Sequence, residues 1–202
     1  LAGRGIHYLG GRTQGYFGPY IWRTTTGQLA RVELPGRVQP CKVCLLSGFL
    51  SRGWLDYLSL GQIGAGGWQD GDTLYCVLHR YQGGVESEAF QVSFLKHEAQ
   101  HIYDRESCGE TAGVLLEYRA KLVELIYSSG IACFKGMLCS ADDASHAYAA
   151  WCIVRDLSRR VFGEDYVGDS PRWQHRVQSV RRAALEAYHD SYRPEVAASL
   201  RL

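Results

Sequence analysis

No stretch of this 202-residue chain is apolar over the roughly 18 residues that a bilayer-spanning helix needs, which excludes a transmembrane segment. Internal repeats and low-complexity tracts are also missing, so repeat architectures are excluded. Net charge is nearly absent, +1 from 22 Lys+Arg and 21 Asp+Glu, and this argues against bulk electrostatic attraction to nucleic acid. Arginine does cluster late, at Arg155, Arg159, Arg160, Arg172, Arg176, Arg181 and Arg182. These fall on two expected helices, about Ala144 to Phe162 and Pro171 to Tyr188, where a solvated face is the ordinary reading and an acidic partner or substrate the alternative.

An even cysteine framework is lacking as well. Cys41, Cys44, Cys76, Cys108, Cys133, Cys139 and Cys152 make an odd count, unlike a secreted disulfide scaffold, and favour a reducing, cytoplasmic compartment. No signal peptide is visible, although the chain starts with leucine rather than methionine. The C-x-x-C of Cys41 and Cys44 has no second C-x-x-C to complete a structural zinc site. It sits in a strand-like run where cysteine acts as a small buried hydrophobe.

The chain is 46% hydrophobic, enough to bury a sizeable core as a single domain over residues 1–202. Composition shifts near Gly84. Residues 1–84 are rich in Gly, aromatic and β-branched residues, and residues 85–202 are helical in pattern, which predicts an α+β fold with an antiparallel or mixed sheet. Tyr20 to Thr26, Ala30 to Leu34 and Val38 to Leu46 read as strands, with Thr26-Gly27-Gln28 as a turn. Asp70-Gly71 predicts a tight turn before the β-rich run Thr73 to Leu78. The glycines of Gly64 to Gly67 are expected either to admit an extended substrate, with Trp68 at the rim, or to form a plain flexible loop.

The centre of the chain carries its chemistry. His97-Glu98-Ala99-Gln100-His101 is an H-E-x-x-H pattern, which 7 His and 11 Glu in 202 residues would produce by chance at a level of only about 1%. Ser87 caps the expected helix, and Val92, Leu95, Ala99 and Ile102 form its apolar stripe. On a helix the two histidines stand about one turn, roughly 6 Å, apart on one face, so both imidazoles can reach one zinc ion. Glu98 lies beside them and can reach a metal-activated water as general base without being a ligand.

A catalytic zinc needs a third protein ligand, and Glu106, Glu110 and Glu117 are the nearby carboxylates. Glu106 and Glu110 fall in a polar stretch that reads as a loop. Glu117 falls in a helix over Thr111 to Tyr127 with two apolar flanks, where a buried carboxylate needs a counter-charge. Glu117 is therefore the expected ligand, against an ordinary pair with Lys121 at i, i+4. Asp104 either orients a liganding imidazole or is a surface aspartate near the helix end, paired with a neighbouring arginine.

On His97, Glu98, His101 and Glu117, the segment from His97 to Ala120 resembles the zincin metallopeptidases, and within them the gluzincins. Asp104 and Ser107 stand where a metzincin would place its glycine and third histidine, so that branch does not fit. The resemblance implies a zincin-like fold, a Zn2+ cofactor on His97, His101 and Glu117, and hydrolysis of a peptide or protein substrate with Glu98 as general base. It also implies a downstream His or Tyr as transition-state donor, with His146 and Tyr148 the favoured candidates beside Tyr118 and Tyr127. The alternative is a zincin-like module that binds metal or peptide without cutting.

Overall fold

The structure, a computed structural model, describes residues 5–13, 16–110, 112–138, 144–168 and 170–200. It is mixed α+β. The chain forms two compact units, residues 1–32 with 40–95, and residues 33–39 with 96–202. The composition shift at Gly84 thus falls short of the division at Leu95, and a short hairpin tip joins the second unit.

In the first unit, β1 (His7–Leu9), β4 (Tyr20–Trp22) and β7 (Ser51–Arg52) form an antiparallel sheet, and β2 (Arg12–Thr13) pairs with β3 (Tyr16–Phe17). A four-stranded sheet runs in the order β5 (Thr24–Leu34), β6 (Arg37–Ser47), β9 (Thr73–Val77), β8 (Gly67–Asp70). β9 pairs parallel with β6, Val43 opposite Leu74, and antiparallel with β8, Trp68 opposite Tyr75. Gly71, with φ 59°, takes the left-handed conformation the expected Asp70-Gly71 turn demands.

The turn expected at Thr26-Gly27-Gln28 is absent, because β5 runs unbroken through those residues. The reversal falls instead at Pro35-Gly36, where proline starts a turn and Gly36 supplies φ 75°.

Tyr20, Trp22, Cys44, Leu46, Ala65, Trp68 and Val77 form the core of this unit. Trp68 stacks on Tyr75 at 5.5 Å and meets Trp22 edge-on, so it is a core aromatic rather than a rim residue. A Cβ on Gly67 would collide with the Tyr75 carbonyl oxygen and the Phe94 ring. Close packing inside the protein, not access for a ligand, therefore explains glycine there. Cys41, Cys44 and Cys76 are free and buried, as expected of small hydrophobes, and burial pushes the Cys76 thiol up to about 12. Cys139 lies outside the described residues. Short helices α1 (Trp54–Leu58) and α2 (Glu88–Phe90) complete the unit, with Ser87 Oγ accepting the Phe90 N–H at 3.2 Å as the predicted cap.

The second unit is helical: α3 (His97–Cys108), α4 (Gly113–Tyr127), α5 (Ala132–Leu138), α6 (Ala144–Phe162), α7 (Ser170–Trp173), α8 (Val177–Asp190) and α9 (Pro194–Leu200). A π-helical stretch, Gln91–Lys96, leads straight into α3. α4 packs against α3, α6 and α8, as its two apolar flanks require, with Leu115, Ala120, Leu122 and Val123 fully buried. Trp173 is a second anchor, edge-on to Phe134 at 4.5 Å and to Phe162 at 4.7 Å, its indole N–H given to Val167 O.

Two boundaries differ from the sequence expectation. The polar stretch after Asp104 stays helical to Cys108, and Gly109 at φ 62° ends it. The helix expected over Pro171 to Tyr188 breaks before Val177, where His175 takes φ 63°. Thr111, the expected start of α4, lies outside the described residues.

Candidate metal centre

Every residue of this site belongs to the second unit. Spacing on α3 puts His97 and His101 on one face, and their rings meet edge to face with centroids 4.7 Å apart. The two Nε2 atoms are 3.0 Å apart. From α4, Glu117 brings Oε1 to 3.2 Å from His101 Nε2 and Oε2 to 3.6 Å from His97 Nε2. Four donors around a zinc ion at 2.0–2.1 Å stand roughly 3.3 Å from one another. The 3.0 Å between the imidazole nitrogens and the 3.2 Å from His101 Nε2 to Glu117 Oε1 are close to that value, and one donor atom from each of the three residues lies within 4.8 Å of the others, so the cluster can hold such an ion.

The electrostatics fit a cation too. Glu117 Oε2 is sealed from solvent with no hydrogen-bond donor. Glu98 and Glu124 are buried beside it, so three carboxylates crowd His97. Burial pulls the His97 pKa down, but the Glu124 hydrogen bond and the charges of Glu124, Glu117 and Glu98 outweigh it and hold the ring up to about 9. Burial pushes Glu117 up, and the His101 hydrogen bond with the charges of His97, His101 and His146 overcomes that, leaving its carboxyl at about 2. Without a metal, a proton on the His97 imidazole supplies the positive charge. A divalent cation supplies it better.

Orientation of the site comes from residues beyond the donors. Glu124 Oε1 meets His97 Nδ1 at 2.7 Å, so Nδ1 carries the proton and Nε2 is turned to the focus. His101 Nδ1 has no such partner. Lys96 Nζ, at the head of α3, donates to Glu33 O at 2.7 Å and lies 4.0 Å from the Tyr127 ring centre of α4.

Asp104 does pair with an arginine, but in the interior rather than at the surface, and with one fifteen positions on. It is fully buried, paired with Arg119 at 3.0 Å, and accepts from Gln100 at 2.9 Å and Tyr192 at 3.1 Å. Arg119 also donates to Ser191 Oγ and Ser191 O. This network ties α3 and α4 to the chain just past α8. The role offered to Asp104, orienting a histidine, is performed by Glu124. The signal for it was in the sequence: Glu124 follows Glu117 by two helical turns, hence on the same face.

The other candidates separate cleanly. Glu117 makes no ion pair with Lys121 and faces the histidines. Glu106 accepts from Gln39 at 3.2 Å, and Glu110 takes the Ala112 N–H at 2.9 Å, capping the start of α4. His146, on α6, brings Nδ1 to 3.4 Å from Glu117 Oε2. Tyr148 stacks on Trp151 at 5.8 Å and hydrogen-bonds Cys152, with no described contact to the cluster. Tyr118 donates to Asp156 at 2.6 Å, and Tyr127 lies against Lys96. His97, His101 and Glu117 are the one group of this kind among the described residues. No helix of the described residues is long and apolar enough to cross a membrane.

No family model matches the chain, and neither curated proteins nor solved structures provide a match.

Proposed function

We propose that this chain is a zinc-dependent peptidase of gluzincin type, with a zincin-like arrangement of its metal-bearing helices. The observation that carries the reading is the convergence of His97 Nε2, His101 Nε2 and the Glu117 carboxylate from two adjacent helices, with an oxygen of Glu117 left unpartnered in the interior.

His97, His101 and Glu117 would hold the ion. When bound, zinc supplies a Lewis acid that acidifies water towards pKa ~7 and polarises a substrate carbonyl. Glu98, next to His97 and buried against it, takes the proton of the attacking water and returns it to the leaving amine. His146, half-exposed on α6 beside Glu117, would donate to the developing oxyanion, a role supported by its 3.4 Å approach to Glu117, whereas Tyr148 is engaged with Trp151 and Cys152. Glu124 keeps the His97 ring in one tautomer throughout.

Two measurements on the full chain test this. Elemental analysis of the purified protein should find zinc, and His97→Ala should lose it. A peptide mixture should be cleaved by the zinc-loaded protein, and Glu98→Gln should keep the metal while cleavage falls by about 100-fold or more. Zinc without cleavage in the parent protein would favour the binding module. No zinc at all would end both readings.

A further inference from the structure

On α6, away from the metal cluster, Arg155, Asp156, Arg159 and Arg160 recur one turn apart and line a cleft of about 380 Å³. Arg193 closes it from beyond α8, and Tyr118 reaches it from α4. The volume falls within the range of about 300–1,000 Å³ typical of small-ligand sites. None of its lining residues belongs to the His97, His101 and Glu117 group.

Four arginines and two aspartates line the cleft, and Asp165 and Glu186, outside the lining, pair with Arg159 and Arg160. Asp190 is shared between Arg160 at 2.7 Å and Arg193 at 3.0 Å. Asp156 already accepts the Tyr118 hydroxyl at 2.6 Å. Arg159 is paired outward with Asp165, and Arg160 has a further, longer contact to Glu186 at 3.6 Å, both on the solvent side.

Arg155 is the member without a hydrogen-bond acceptor. Its Nε is sealed from solvent with none, Asp156 Oδ1 lying 3.9 Å off, and its guanidinium rests on the Trp151 ring at 4.7 Å. A guanidinium stacked on an aromatic ring is held in one plane, and the terminal nitrogens beyond the sealed Nε are the donors left for an oxyanion.

We propose that this cleft binds a small organic oxyanion, a phosphate- or carboxylate-bearing molecule held by Arg155 and Arg193. It does not depend on the peptidase reading. Inorganic phosphate and succinate, both weak metal ligands, serve as probes.

Calorimetric titration of the full chain at low ionic strength should show saturable binding of at least one probe below roughly 10 mM. Stronger phosphate binding would assign a phosphate group, and stronger succinate binding a dicarboxylate. Arg155→Gln should weaken that binding by about tenfold or more. Arg193→Gln, a change at an exposed side chain that leaves the fold intact, should do the same, and Arg172→Gln, outside the cleft, should leave it unchanged. Absence of saturable binding with both probes, or binding indifferent to Arg155→Gln and Arg193→Gln, would overturn the proposal.

Discussion

Glu124 Oε1 stands 2.7 Å from His97 Nδ1, two helical turns beyond Glu117 on the same face of α4. A carboxylate in that position selects the imidazole tautomer and raises its basicity towards a metal. Glu124→Gln should therefore weaken zinc binding by about 10- to 100-fold, read by competition with a chelator of known affinity. An unchanged affinity would leave Glu124 with only a packing role.

Zinc uptake should release a proton. The His97 ring, held up to about 9 against an ordinary 6.5, is protonated in the metal-free chain at neutral pH and must lose that proton to bind metal. Affinity should thus climb with pH by roughly tenfold per unit until about pH 9, and calorimetry in buffers of different ionisation enthalpy should count about one proton released. The sign for folding is the opposite. In the metal-free protein the raised pKa contributes stability that is complete below about 6.5 and lost as pH rises through about 9.

Glu117 and its two neighbouring candidates should part company under mutation. Glu117→Ala should abolish zinc retention. Glu106→Ala should leave it intact, because Glu106 holds Gln39. Glu110→Ala should also keep the metal, at a cost of about 0.5–2 kcal/mol in stability for the lost contact to the Ala112 N–H. Elemental analysis and urea unfolding read the two effects separately.

The Asp104–Arg119 pair offers a structural test. Both side chains are buried, at 0% and 3% exposure, so Arg119→Met leaves a carboxylate without its counter-charge. Urea unfolding should show a loss of about 3–5 kcal/mol. Full stability in that variant would mean that Gln100 and Tyr192 alone satisfy Asp104.

The helices of the candidate site are legible because helical periodicity is a strong signal: Val92, Leu95, Ala99 and Ile102 point one way and the histidines another, and α4 has two apolar flanks. Glu124 takes one further step along the same helix face, whereas Asp104 lies nearer in sequence. Asp104 is a residue of the interior because Arg119, fifteen positions on, neutralises it, and pairings at that range leave no local pattern. Turn chemistry misled in the strand-rich part. Gly27 sits inside a strand, whereas Pro35-Gly36 carries the reversal. Polar composition after Asp104 read as loop, yet helical propensity carries α3 on until Gly109 stops it. His175 adopts a left-handed backbone that only glycine would have advertised.

Because one rod, α4, bears both Glu117 and Glu124, a displacement of that helix carries both acids with it. A slide or roll of that rod by a fraction of a turn would withdraw the third donor and release the imidazole it steers in a single motion. Substitutions along the buried flanks of α4, far from any donor atom, should therefore weaken metal capture through both acids at once.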